Sequence, residues 1–223
     1  MSAPQKLFDK FPKAAIEPLP RLAFGGRIII IETVQEASRA IRALRRSAMV
    51  GIDTETKPTF SAGNHHRVAL LQVSTERTAY LFRLCKTGIT PDIRLFLEDQ
   101  NQLKVGLSLK DDWHQLRERG TFTPGRTLDL QQFVERFGIE DRSLQKLCAN
   151  VLGRRLSKRE QLSNWEAPTL SPKQMIYAAT DAWACLKLYR RLTHLWQTGA
   201  WQPVSSVDQD VLCSKLIIQL LHE

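Results

Sequence analysis

Apolar and polar positions along this chain follow two periods, one near two residues and one near 3.6. The run Arg27–Ile31 is β-branched and apolar, which predicts a buried strand. Thr33 and Glu36 then have the spacing of a capping box, and Ala37, Ala40, Ile41 and Leu44 follow at helical intervals, predicting a helix that ends near Ser47. Residues 49–56 begin apolar and end acidic, as a strand that leaves the core. Residues 57–66 hold Pro58, Gly63 and Asn64 and read as a loop. Strands are expected over 68–74 and Thr78–Arg83 around a turn at 75–77. A short helix over 89–97 with Pro91 in its first turn, a strand at Leu103–Gly106 and a helix to about Arg119 complete the first half.

The second half reads as helices over 129–137, 143–151, 171–198 and 205–221. Ser143 and Ser171 are candidate N-caps, and Ser171 is followed by Pro172 at the first helical position and Gln174 at the third. The order β-α-β-β-β-α-β-α followed by helices predicts an α/β fold with a mixed central sheet flanked by helices. Residues 1–24, with four prolines and no period, form an extended N-terminal arm. Residues 25–200 form the main domain and 201–223 a C-terminal helical tail. The apolar stripe of that tail, Val207, Val211, Leu212, Leu216, Ile217, Leu220 and Leu221, is expected to pack on the domain.

A length of 223 residues suits one full domain with appendages, and 43% hydrophobic with 25% charged residues excludes a disordered or collagen-like chain. Lys and Arg number 32 against 23 Asp and Glu, a formal charge of +9, which favours a polyanionic partner, nucleic acid ahead of an acidic membrane. Cys85, Cys148, Cys185 and Cys213 are far apart with no C-x-x-C pair, so neither a zinc cluster nor a disulfide framework is expected. No apolar stretch is long enough to span a membrane, and the first residues lack a signal-peptide core. The expectation is a soluble cytoplasmic protein.

The chemistry concentrates in three places. Asp53 and Glu55 end a strand and point to one side, where two carboxylates repel unless a cation, a proton or a basic group compensates. They are either a strand end emerging into solvent or hard oxygen ligands for Mg²⁺ or Mn²⁺. The stretch KVGLSLKDDW turns at Gly106 into a helix whose first turn carries Asp111 and Asp112, where acids also favour the helix dipole. Tyr177 and Asp181 lie four apart on one helix face beside Ala178, Ala182 and Cys185. An aspartate there is costly to bury unless paired or coordinating.

Together these segments resemble the three motifs of the DEDDy family of 3′–5′ exonucleases, of the RNase D type, with the ribonuclease H-like exonuclease fold. The resemblance runs through VGIDTET, ALLQVST, KVGLSLKDDW, YAATDAWACLKLY and the run QLSNWEAPTLSPKQMIYAATDA before the last motif. It implies that Asp53, Glu55, Asp112 and Asp181 hold two divalent ions, Mg²⁺ or Mn²⁺, and that Tyr177 orients the attacking water. By the family's spacing Asp112, not Asp111, is the ligand. The chain departs from the pattern at Leu107-Ser108, where several relatives carry histidine and asparagine. The implied activity is metal-dependent removal of nucleoside 5′-monophosphates from the 3′ end of single-stranded nucleic acid. A non-catalytic nucleic-acid-binding module on the same fold is the alternative. Charge supports the two-ion assignment, since four carboxylates are neutralised by two divalent cations that can also serve a nucleophilic water and a leaving oxygen.

Arg154, Arg155 and Lys158 are candidate contacts to the phosphate backbone, with a solvated basic loop as the alternative. Trp165 is a candidate for stacking on a base, with packing beneath the 171–198 helix as the alternative. His65 and His66 read as an exposed loop pair, Gln72 as the holder of a structural hydrogen bond, and Arg39, Arg42, Arg45 and Arg46 as a solvated helix face.

Overall fold

A computed structural model of the chain describes residues 3–59 and 65–205. In chain order the strands are β1 (Gln5–Phe8), β2 (Arg27–Ile31), β3 (Met49–Glu55), β4 (Leu70–Ser74), β5 (Thr78–Arg83), β6 (Leu103–Gly106), β7 (Thr127–Asp129) and β8 (Trp201–Val204). The helices are α1 (Val34–Leu44), α2 (Leu84–Thr87), α3 (Pro91–Glu98), α4 (Leu109–Arg117), α5 (Leu130–Phe133), α6 (Leu144–Leu152) and α7 (Pro172–Thr198). The chain divides into two compact units. One contains residues 23–130 and 158–186. The other contains, as far as described, residues 3–22, 131–157 and 187–205.

The unit of residues 23–130 and 158–186 is built on a six-stranded sheet in the order β2-β5-β4-β3-β6-β7. Strand β4 runs antiparallel to β3 and β5, and all other pairs are parallel. This is the mixed α/β architecture expected from the element order. On one face, Ile52, Val73 and Phe82 pack with Ile41 of α1, Phe96 of α3 and Trp113 of α4. On the other, Leu70 and Leu81 pack with Ala178 of α7 and with Trp165 and Leu170 from the segment before it.

Helix α7 approaches β3 so closely that only glycine fits beneath it. A Cβ on Gly51 would lie 1.8 Å from the Ala182 carbonyl oxygen. Backbone on both sides leaves nothing flexible to give way. Gly51→Ala is therefore expected to cost about 1–3 kcal/mol of stability, read as a lower denaturation midpoint, and more if α7 is displaced.

The helix starts follow the sequence signals. Thr33 Oγ1 accepts from the Glu36 N–H while Glu36 Oε2 accepts from the Thr33 N–H, a complete capping box. Ser171 and Gln174 form the same reciprocal pair at the start of α7, with Pro172 at its first position. Thr90 accepts from the Ile93 N–H ahead of Pro91, and Ser143 from the Lys146 N–H. Helix α1 stops at Leu44, before Ser47. Expected strand 68–74 begins at Leu70, expected helix 89–97 is preceded by α2, and expected helix 129–137 opens as the edge strand β7 and tightens into a 3₁₀ turn at Val134–Phe137. Three residues of strand are too short to establish a period, so β7 was invisible to patterning.

The other unit incorporates the N-terminal arm. Strand β1 pairs in parallel with β8, which stands where the start of a helical tail was expected. Phe8, Phe11, Ile16 and Leu19 bury their side chains against Ala149. The amide of Asn150 accepts from the Phe8 N–H at 3.0 Å and donates to its carbonyl at 2.7 Å, serving both main-chain groups of one residue. The arm holds β1 and a 3₁₀ turn at Lys13–Ala15, and it is part of a unit with residues far along the chain. The helix expected over 205–221 lies outside the described residues, except for Ser205.

Candidate active site

Strand β3 ends in Asp53 and Glu55, which project from the same sheet face as Gly51, the face covered by α7. Helix α7 brings Asp181 to that strand end. One carboxylate oxygen from each of Asp53, Glu55 and Asp181 lies within 4.8 Å of the others. Glu55 and Asp181 are buried, at 9% and 4% exposure. Asp112 arrives from the first turn of α4 and does not join that trio within the same distance. Its Oδ1 accepts from the Thr54 hydroxyl at 2.5 Å, and its charge is felt by both Asp53 and Glu55. The four acids are thus drawn together from three elements.

The start of α4 is fixed by a residue that motif reading did not single out. Asp129, at the end of β7, accepts from the Ser108 N–H at 3.1 Å and the Leu109 N–H at 2.8 Å, one with each carboxylate oxygen. Ser108 has φ +60°, a left-handed conformation uncommon for a residue with a side chain. The Asp129 carboxylate compensates by satisfying two N–H groups that a helix start leaves open. Asp129→Ala is expected to cost about 1.5–3 kcal/mol in denaturant unfolding and to lower activity by loosening the helix that carries Asp112.

Burial and mutual repulsion dominate the electrostatics. Desolvation and then the charges of Asp112 and Asp181 raise Asp53 well above the usual carboxylate range. Desolvation and then Asp53 do the same to Glu55. Burial pushes Asp112 and Asp181 up to about 7, opposed by hydrogen bonds from Thr54 and Tyr177 respectively. Two buried and two half-buried carboxylates without basic partners among the described residues, with Asp181 Oδ1 lacking a hydrogen-bond partner, make a site short of positive charge. The donor set is all oxygen, which suits Mg²⁺ or Mn²⁺. Tyr177 shares its helix face with Asp181. Burial first, then the nearby acids, raise its pKa further above the ordinary phenol value, so its hydroxyl stays protonated and is a donor.

Tyr177 is positioned from beneath. Its ring lies 5.9 Å from that of Trp165, centroid to centroid, and Trp165 is fully buried. The indole has no face open to a base, so the stacking expectation for Trp165 is set aside in favour of packing. Arg83, also fully buried, donates to the carbonyl of Ala167 and to Glu32, and Lys86 donates to Glu32 and to the Pro168 carbonyl. These bonds hold the segment before α7 on the sheet. The sequence showed only a charged residue at a strand end, which gave no sign of burial.

Of the basic run, Arg154 and Lys158 are exposed, and Arg155 is ion-paired with Glu17 at 2.7 Å. His65 lies 2.8 Å from Glu118 and His66 3.4 Å from Glu166. Both are therefore engaged with acids outside the cluster. Gln72, expected to hold a structural hydrogen bond, is fully buried and has none on either amide atom.

Fold and site define an α/β domain with a cluster of carboxylates whose oxygen donors suit hard divalent cations. Residues 28–197 match the family described as 3′-5′ exonuclease, and the chain belongs to that family. It is 35% identical over 187 residues to exonuclease 3′-5′ domain-containing protein 2 of Drosophila melanogaster, which covers 77% of this chain and 32% of that relative. The structure is similar to the Nibbler EXO domain of Aedes aegypti, with a TM-score of 0.69 and 23% identity, covering 79% of this chain and 91% of that one. It is equally similar to Escherichia coli RNase D, with a TM-score of 0.69 and 20% identity over 78% of this chain and 46% of that one. The mixed α/β fold and the resemblance to 3′–5′ exonucleases are both borne out.

Proposed function

We propose that the protein is a metal-dependent 3′–5′ exonuclease that hydrolyses the terminal phosphodiester of single-stranded RNA or DNA. The observation that carries this reading is the convergence of Asp53, Glu55 and Asp181 within 4.8 Å, with Asp112 beside them and Tyr177 on the face of Asp181. The four acids are assigned to two Mg²⁺ or Mn²⁺ ions. When bound, such ions supply charge neutralisation of the phosphate and a water acidic enough to attack near neutral pH.

The residues of the chain hold and orient. Buried Glu55 and Asp181 present oxygens in surroundings of low dielectric, where charge developing on the phosphate is felt strongly. The Tyr177 hydroxyl, held protonated, orients the attacking water and does not act as a base. Water oxygen bonds to phosphorus, the bond from phosphorus to the preceding nucleotide's O3′ breaks, and that oxygen takes up a proton. The products are a nucleoside 5′-monophosphate and a new 3′-hydroxyl. Exposed Arg154 and Lys158, with Arg155, are assigned to the phosphate backbone.

No helix among the described residues is long and apolar enough to cross a membrane. A reducing, cytoplasmic setting is the reading of the sequence, whose four cysteines are far apart with no C-x-x-C pair. The test is a time course on matched 5′-labelled single-stranded RNA and DNA with Mn²⁺ or Mg²⁺ and an EDTA control. A metal-dependent ladder shortening from the 3′ end is expected. Oligonucleotides that bind but stay intact in every lane would move the site to a non-catalytic binding role.

A further inference from the structure

Strand β4 is apolar on both faces except at Gln72 and Ser74. Ser74 donates to the Thr75 carbonyl, whereas Gln72 has neither its amide nitrogen nor its oxygen bonded, at 0% exposure. A buried amide without partners is destabilising relative to an apolar side chain of the same size. Such a group persists where it serves something besides the fold.

Its position shows what that is. Gln72 stands directly opposite Asp53 in the antiparallel β3–β4 register, with Leu81 on its other side. Residues so paired project from one face, with Cβ atoms roughly 5 Å apart. That face is the one roofed by α7. Ala178 packs on Leu70 and Leu81, and the Ala182 carbonyl lies over Gly51. Asp181 is three residues after Ala178 and one before Ala182, so it hangs from the roof above the same layer. Its Oδ1 is buried and lacks a partner. An unbonded amide donor and an unbonded carboxylate acceptor thus belong to opposite walls of one layer, both beside Asp53.

We propose that Gln72 is a positioning residue of the acid cluster: when the carboxylates are charged and hold cations, its side-chain amide, unbonded in this structure, turns to donate to them, Asp181 Oδ1 first, and fixes their orientation. This rests on the metal-site reading above. Outer hydrogen bonds of this kind set how well a ligand is aimed, and their loss typically costs 10–100-fold in metal affinity.

The test is Gln72→Met, which keeps length and volume and removes both polar atoms. Two quantities are measured on the full chain: the melting temperature in EDTA, and the Kd for Mn²⁺ by calorimetry or by electron paramagnetic resonance of free Mn²⁺. The expected result is a Kd weakened about 10-fold or more, with a metal-free melting temperature unchanged or raised. A lowered metal-free melting temperature, failure to fold, or an unchanged Kd each overturns the proposal, since a structural amide would give the first two and an idle one the third. Wild-type protein that takes up no Mn²⁺, or an Asp53→Asn variant that binds it as well as wild type, would instead overturn the metal-site reading.

Discussion

Asp53→Asn is expected to abolish turnover while leaving the fold intact. The substitution keeps the size and one acceptor oxygen of the side chain and removes its charge. Asp53 is one of three residues whose oxygens converge within 4.8 Å, and Asp112 and Asp181 both act on it electrostatically. With the charge gone, the cluster offers a divalent ion one anionic ligand fewer where Asp53, Glu55 and Asp181 meet. Activity on a 3′-labelled oligonucleotide is expected to fall on the order of 10³-fold or more, about 4 kcal/mol of transition-state stabilisation. Asp181→Asn is expected to do the same. The metal-free protein should be as stable as wild type or more so, because a carboxylate that burial and its neighbours oppose has been replaced by a neutral group. Full activity retained in both variants would sink the assignment of the site.

Acidification should stabilise the metal-free protein, against the usual behaviour of carboxylates. Asp112 and Asp181 are held up to about 7 in the folded state, mainly by burial, against 3.8 for an ordinary aspartate. Between those values the folded protein keeps protons that the unfolded chain has released. Stability then falls as pH rises, with a slope of about 1.4 kcal/mol per pH unit for each such group. The loss begins above about pH 4 and is complete above about pH 7. Cation binding runs the other way, because the ligands must be deprotonated to bind. In EDTA the melting temperature is expected to be higher at pH 5 than at pH 7.5. Mn²⁺ should raise it strongly at pH 7.5 and little at pH 5. Calorimetric scans of wild type and Asp181→Asn check this, the variant losing part of the pH slope. Equal slopes in the two proteins would mean that Asp181 does not keep its proton in the fold.

Local signals accounted for much of the site. Asp53 and Glu55 could be placed on one side of a strand because strand period is two, and Tyr177 and Asp181 on one face of a helix because i and i+4 are neighbours. The helix starts at Thr33, Ser143 and Ser171 were readable because a cap is a contact between residues three apart. Asp129 was not readable, since its two bonds to the start of α4 reach back 20 and 21 residues and leave no mark in any short window. Gln72 was placed on the right strand, beside the one that carries Asp53. Its neighbours in sequence are apolar, and only the register shows that Asp53 stands opposite.

By itself the sequence determined the α/β element order, the helix starts, the acids, and through them the family. These depend on periods, caps and motifs, all of them local. The tertiary structure decided which walls the acids share, that Trp165 is packing and not a platform, that Arg83 is buried, and that β1 pairs with β8 across nearly the whole chain. Burial and pairing of that kind are set by residues distant in sequence that meet only once the sheet and helices have packed, and no local pattern encodes the meeting.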